Sequence, residues 1–246
     1  MPFGRANGRA QSLKLARPSA GDNARVGRLG ENGAVPPLAP RLDGPALRRA
    51  TRHLSRCDPK LAALMADVGP CRLDVHRGGS SFAYLARAIL SQQISVAAAR
   101  SIAGRMRQRF GAPLRPEDVL GASDEELRGL GLSRQKVAYL RDLAGKTRDG
   151  LPLGRLSRLP EEKVIEILTE VKGVGVWTAE MYLMFRLGRP DVFPVGDLGI
   201  RNAMKRAYRM RGVPKPERMR RLAAPWRPWR TVACWYLWQS LDATPT

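Results

Sequence analysis

Residues 168–201, LTEVKGVGVWTAEMYLMFRLGRPDVFPVGDLGIR, carry the residue types and spacings best suited to chemistry. Two helical patterns flank a tight turn, Lys172-Gly173-Val174-Gly175. Glycine adopts backbone dihedrals that a Cβ forbids, and it lets the backbone come close to a ligand. The second helix points its unpaired N–H groups and the positive end of its dipole out of the turn, past Lys172, Gly173, Gly175 and Thr178. A phosphate is the natural anion for such a place. The same turn also reads as a plain αα-hairpin whose glycines only permit close packing. Farther on, Asp197 stands immediately before another helical pattern. An Asp there is most often an N-cap, and a capped carboxylate is held in a fixed position. Aromatic surface comes from Trp177 and from PWRPWRTVACWYLWQS, with Trp226, Trp229, Trp235 and Trp238. Tryptophan at helical spacing is usually packing.

These side chains need helices to position them, and the rest of the chain supplies helical patterns almost without interruption. Asp43 is suited to cap a helix bearing Leu47, Ala50 and Leu54, and Pro59 opens a second that ends near Gly69-Pro70. Residues 81–110 hold two more, joined by Ser91-Gln92-Gln93-Ile94, which alone reads as a polar turn. Pro116 opens a short helix, Ser123-Asp-Glu-Glu126 is a capping-box pattern, and Ser133 starts a longer helix with Val137, Leu140 and Leu143 inward. Pro160 leads into the first hairpin helix, with Val164, Ile167, Leu168 and Val171 on its buried side. The hairpin is expected over about 164–188, the second helix closing at Gly188 before Pro190, and a Gly/Pro loop over 191–197. Only residues 71–79 have a strand-like pattern, so the expected fold class is all-α.

The chain has 246 residues and a formal net charge of +21, which calls for a polyanionic partner, nucleic acid before an anionic membrane. Between Arg201 and Arg230 a dense series of basic residues faces the single acid Glu217. No apolar run reaches transmembrane length. Cys57, Cys71 and Cys234 lie far apart, with neither metal-ligand spacing nor a disulfide framework. His76 reads as an exposed loop residue, and His53 lies on a helix without an evident partner. Residues 1–40, rich in Gly, Arg, Ala and Pro, read as a disordered basic tail ahead of a helical domain over 41–246. An unstructured extension or an organellar transit segment are alternatives for that tail.

The string LxxVKGVGxxTA, followed by Phe193-Pro194-Val195-Gly196-Asp197, resembles the hairpin, Gly/Pro loop and aspartate of the helix-hairpin-helix (HhH-GPD) DNA glycosylase superfamily. It is most similar to the alkylation-repair branch, the DNA-3-methyladenine glycosylase II type. The resemblance covers roughly residues 45–240, including SQQIS and GLGLSRQKVAYL. It implies a two-lobed helical fold with the active site in the cleft between lobes. It implies Asp197 as the catalytic carboxylate, Trp177, Trp238 and Met181 at the base pocket, and Gln93, with Gln92 beside it, as the wedge entering the DNA stack. Met181 departs from the tyrosine of a close relative, a difference that bears on base preference. Hairpin residues Lys172, Gly173, Gly175 and Thr178 would face phosphate, and the carbonyls of Thr169, Val171 and Val174 could hold a monovalent cation. The four-cysteine iron–sulfur cluster of some members is not expected, since only Cys234 lies in that region. The extra N-terminal α/β domain of a larger relative has no counterpart here, which suggests the compact form.

The chemistry implied is hydrolysis of an N-glycosidic bond after the base has been flipped out of duplex DNA. Bond cleavage leaves positive charge on the deoxyribose, which a carboxylate beside C1′ stabilises. Electron-rich indoles attract a cationic alkylated purine such as 3-methyladenine or 7-methylguanine. Bifunctional members carry a lysine nucleophile at the position of Trp177, so a monofunctional enzyme is expected. The expected partner is double-stranded DNA with a damaged base, bound by a monomer with no membrane contact. The expected place is the cytoplasm and nucleoid of a bacterium, or a nucleus or organelle if the tail is a targeting segment. The rivals are a glycosylase of this fold acting on a mismatched or oxidised base, and a non-catalytic helix-hairpin-helix DNA-binding protein.

Overall fold

The computed structural model describes residues 42–242. The basic tail expected over 1–40 lies outside the described residues. Within them the chain forms twelve α-helices and two 3-10 turns, and no strand.

Local signals set most helix starts. Asp43 accepts the Ala46 N–H at 2.7 Å to open α1 (Gly44–Cys57), which buries Ala46, Ala50 and Leu54 at the i, i+4 spacing of one face. Asp58 accepts the Lys60 and Leu61 N–H groups, each at 3.0 Å, at the head of α2 (Pro59–Val68). Serine side chains at 80, 95, 123 and 133 cap α3 (Ser81–Ser91), α4 (Val96–Phe110), α6 (Asp124–Gly129) and α7 (Arg134–Arg148). Between α4 and α6 lies the short α5 (Pro116–Gly121). The capping box expected at Ser123 forms only in its forward half, because the Glu126 carboxylate turns to pair with Arg109.

The chain then continues as α8 (Glu161–Thr169), α9 (Val176–Phe185), α10 (Leu198–Ala207), α11 (Pro216–Leu222) and α12 (Arg230–Asp242). In one lobe α7 is the centre, packed by α3, α5 and α6, with α4 behind α3. The other lobe joins the two ends of the described chain, with α12 lying against α1, α2 and α10. Between them runs α9. Every residue of it from Thr178 to Phe185 is buried except Glu180, which is partly so, as expected of a helix enclosed on most sides. The Tyr182 hydroxyl donates to Ser81 Oγ at 2.7 Å, tying α9 to α3. No helix among the described residues is long and apolar enough to cross a membrane.

Three expectations need correction. The hairpin helices are α8 and α9, so the first stops before Val171, whose N–H reaches back to Leu168 in a tighter turn. The second stops at Phe185, yet Gly188 does terminate it. With φ +66°, Gly188 turns the chain so that the Arg189 N–H closes on the Leu183 carbonyl at 2.9 Å. Residues 71–79 are extended but form no strand, having no partner strand. Their groups are satisfied instead by α9 and its end: the His76 N–H meets the Phe185 carbonyl at 2.8 Å, and the Arg186 guanidinium donates to the carbonyls of His76 and Gly78. His76 is exposed as expected, but His53 does have a partner, its Nε2 lying 2.8 Å from the Pro225 carbonyl.

Candidate active site

The loop carrying Asp197 is fixed from below by α12. Buried Thr231 donates from Oγ1 to the Arg189 carbonyl at 2.7 Å and accepts the Val192 N–H at 3.0 Å. Asp191 receives Arg230 at both oxygens, 2.7 Å from Nε and 2.9 Å from the terminal nitrogen. Such a fork-to-carboxylate pair fixes direction as well as distance. The Asp197 N–H then closes a turn on the Pro194 carbonyl at 2.9 Å, which starts α10.

Asp197 is the N-cap of α10, its Oδ1 accepting the Ile200 N–H at 2.7 Å. Oδ1 also accepts Nε1–H of Trp238 from α12 at 3.0 Å, and Oδ2 accepts Nε1–H of Trp177 from α9 at 2.6 Å. Three helices therefore converge on one carboxylate. Gly199 permits the approach of α12, since a Cβ there would sit 3.1 Å from Asp197 Oδ1 and 3.2 Å from the Trp238 ring. Trp177 is 47% exposed and Trp238 partly buried, so the cluster opens to solvent on the Trp177 side.

Along α9, Met181 and Phe185 follow Trp177 at successive i+4 steps on one face. Met181 is buried, and the Phe185 ring lies tilted 5.9 Å from that of Trp238. The sequence reading missed Phe185, although the i+4 spacing was there to find it. It also missed Glu180. Burial first, and then the Asp197 charge, push its carboxyl up to about 7, against the pull of Arg220 on α11. Buried Cys234 lies within the reach of the same two carboxylates; burial raises its thiol well above the ordinary value, which leaves it a neutral packing group.

The hairpin turn is braced from α7. Gly173 has φ +81°, and a Cβ there would overlap the Tyr139 ring, so both conformation and packing demand glycine. Gly175 has ordinary extended dihedrals with open space beside it, as the N-cap of α9. The Lys172 N–H donates to Asp142 Oδ2 at 2.8 Å, and Lys146 donates to the same carboxylate and to the Glu170 carbonyl. Burial would raise the Asp142 carboxyl, but these donors outweigh it and hold it below its ordinary value. The Lys172 side chain is exposed. Thr178 is buried, 8% exposed, because α9 is enclosed there, so its side chain is not on the outer rim of the turn with Lys172.

The two glutamines of the α3–α4 turn separate. Gln92 folds back, its Nε2 donating to the Gly173 carbonyl at 2.9 Å. Gln93 is exposed, with φ +56°, a left-handed conformation uncommon for a residue with a side chain. Beneath the turn, buried Lys136 donates from Nζ to the Leu90 carbonyl at 2.6 Å. Nothing in the local sequence pointed to Tyr139, Asp142 or Lys136 as braces of these turns, because the backbone each one meets there, at Gly173, Lys172 and Leu90, is thirty or more residues away.

The model of the HhH-GPD superfamily base excision DNA repair protein matches residues 86–228. DNA-3-methyladenine glycosylase 1 of Schizosaccharomyces pombe is 35% identical over 69% of this chain and 76% of its own. The solved structure of a 3-methyladenine DNA glycosylase from the same yeast, in complex with abasic DNA, superposes with a TM-score of 0.71 at 34% identity, covering 80% of this chain and 98% of that one. A DNA-3-methyladenine glycosidase from Bacillus halodurans gives a TM-score of 0.68 at 35% identity, over 77% of this chain and 87% of that one. With the hairpin, the Gly/Pro loop and Asp197 all inside the matched region, the chain belongs to the HhH-GPD superfamily of base excision DNA repair proteins.

Proposed function

We propose that this chain is a monofunctional DNA glycosylase that releases alkylated purines, of the 3-methyladenine and 7-methylguanine type, from duplex DNA and leaves an abasic site. The observation that carries the reading is the Asp197 carboxylate, held by three N–H donors from α9, α10 and α12. A carboxylate has about four lone-pair positions. These three donors take two positions on Oδ1 and one on Oδ2, which leaves Oδ2 free to face a sugar or a water on the open, Trp177 side. A carboxylate fixed in this way needs little reorganisation when positive charge develops at C1′. Binding that charge more strongly than the neutral ground state is what lowers the barrier.

The indoles of Trp177 and Trp238 meet Asp197 by their N–H edges, so their faces remain for the base. A cationic purine gains on the order of 0.5–2 kcal/mol against such a face. It also leaves without much protonation, in keeping with a site whose second carboxyl, Glu180, titrates near neutrality and adds little charge beside Asp197 below that. Exposed Gln93 is the group that fills the space of the departed base, and Gln92 braces it against the hairpin. Lys172 and the Gly173–Gly175 turn take the DNA backbone. At the turn, Gln92 holds the Gly173 carbonyl and Lys146 the Glu170 carbonyl, and the carbonyls of Thr169, Val171 and Val174 are the set we assign to a monovalent cation. We place the enzyme where DNA is kept, which in a bacterium is the cytoplasm with its nucleoid. The yeast and bacterial relatives named for 3-methyladenine support the lesion class.

The deciding experiment measures base release from alkylated duplex DNA, with borohydride present in a parallel reaction. Free 3-methyladenine, an intact strand with an alkali-labile site and no trapped adduct are expected. A trapped covalent complex would overturn the monofunctional reading. Binding without release by the wild-type protein would leave the non-catalytic DNA-binding alternative standing.

A further inference from the structure

The outer face of α1 carries Arg48, Arg49, Arg52 and Arg56 and not one acid. Arg49, Arg52, His53, Arg56 and Cys57 line an open groove of about 330 Å³. Like charges three and four residues apart on a helix repel one another, and nothing nearby relieves this. The two flanking carboxylates are occupied elsewhere, Asp43 capping α1 and Asp58 capping α2 while accepting Tyr208 and Trp226. Among the described residues none of these arginines has an acidic partner. One lining residue is held from outside α1: His53, whose Nε2 lies 2.8 Å from the Pro225 carbonyl in the 3-10 turn Ala224–Trp226.

We infer that this groove is a second phosphate-binding site, which takes the backbone of the DNA duplex away from the lesion. Arginine forks match phosphate oxygens two at a time. Seven residues separate Arg49 from Arg56, about 10 Å along the helix. That is a long span for one small anion and suits successive phosphates of a strand. The groove also lies at a definite remove from Asp197. Helix α10 starts at Asp197 and ends at Tyr208, whose hydroxyl donates to Asp58, the residue after Cys57. The length of α10 is about 15 Å, and the Tyr208 side chain adds to it, so the Cys57 end of the groove lies roughly 15–25 Å from Asp197. At 3.4 Å per base along one strand, this is about four to seven base pairs. The basic helix α11 links the two places, since its Arg220 acts on Glu180 beside Asp197 and the helix packs on the 3-10 turn that holds His53.

The test uses the full chain, wild type and Arg52→Ala/Arg56→Ala, against 11- and 25-base-pair duplexes with a central abasic-site analogue. On the 25-mer the variant should bind about tenfold more weakly at moderate salt, with the log–log salt slope shallower by about two, close to 0.9 per lost phosphate contact. On the 11-mer, which ends about five base pairs from the centre and reaches at most the near end of the groove, the loss should be smaller, about threefold or less. An Arg52→Lys/Arg56→Lys variant should keep most of the slope. Cys57 is an internal reporter: in a Cys71→Ser background, the 25-mer should slow its alkylation by a thiol reagent more than the 11-mer does. Excision at saturating enzyme should stay unchanged, so failure here is separate from failure of the glycosylase reading. Equal losses on both duplexes, no loss on the 25-mer, or protection of Cys57 by millimolar inorganic phosphate but not by the 25-mer would overturn the inference.

Discussion

Asp197 and Asp58 are built alike and end up doing different things. Each precedes a helix and caps it, Asp197 for α10 and Asp58 for α2, and each accepts tryptophan N–H groups. They even sit at opposite ends of α10, because Tyr208 at its C-terminus reaches Asp58. At Asp58 the partners close the shell: two backbone N–H groups on Oδ1, with the Tyr208 hydroxyl and the Trp226 indole at 2.9 Å on Oδ2. Trp226 is fully buried. Burial alone would raise the Asp58 carboxyl, but these donors hold it below its ordinary value. At Asp197 one position on Oδ2 remains, and the indole beside it is 47% exposed. A saturated, enclosed carboxylate stabilises a fold, whereas an unsaturated one at an opening can act on something that arrives.

The largest expected effect tests that contrast directly. Asp197→Asn should slow single-turnover release of 3-methyladenine by two orders of magnitude or more, about 3 kcal/mol in the barrier. Binding to abasic-site DNA should stay within about tenfold of wild type, because phosphate contacts lie elsewhere. Near wild-type excision by the folded variant would reduce Asp197 to an N-cap and dissolve the contrast. Asp58→Asn should do the reverse. Losing charge-assisted bonds to Tyr208 and Trp226 should cost about 2–3 kcal/mol of stability, read as a lower denaturation midpoint, with the excision rate per folded molecule unchanged within about twofold. A slow but fully stable Asp58 variant would break the comparison from the other side.

Glu180 sharpens it by way of pH. This residue binds its proton more tightly in the folded chain than in the unfolded one, so its contribution to stability is fully present below the ordinary 4.5 and is lost as pH rises through about 7. Glu180→Gln should therefore make the chain more stable than wild type at pH 8, by about 1–3 kcal/mol, with no gain at pH 4. Chemical denaturation at the two pH values reads this, and identical differences at both would show that burial and the Asp197 charge together do not raise the Glu180 carboxyl. The smallest effect concerns what approaches the open side. Gln93→Ala should slow excision from duplex DNA about tenfold, through about 1.4 kcal/mol of lost support for the unstacked state, and leave single-stranded substrate nearly untouched. Matching losses on both substrates would remove Gln93 from the wedge role.

Much of this molecule could be read along the chain because its signals are local. Cap residues Asp43, Ser123, Ser133 and Asp197 stand within three residues of the N–H groups they accept, and the turn at 172–175 announces itself by its glycines. The buried faces of α1, α7 and α8 follow from helical spacing alone. Periodicity cannot report on partners distant in sequence. It marked residues 71–79 as strand-like, but a strand needs a neighbour, and Arg186 and the end of α9 satisfied that backbone instead. It did not single out Asp58 at all and offered Asp197 only as a cap, since the Tyr208, Trp226, Trp177 and Trp238 donors lie 20 to 168 residues away. Nor could it separate Gln92 from Gln93, which differ only because the Gly173 carbonyl lies within reach of one of them. Sequence by itself determined the helices, their caps and the glycine turn, because those depend on neighbours a few residues apart. Tertiary structure alone decided which carboxylate keeps an open lone pair, because that depends on which distant donors the packing of α9, α10 and α12 brings to it.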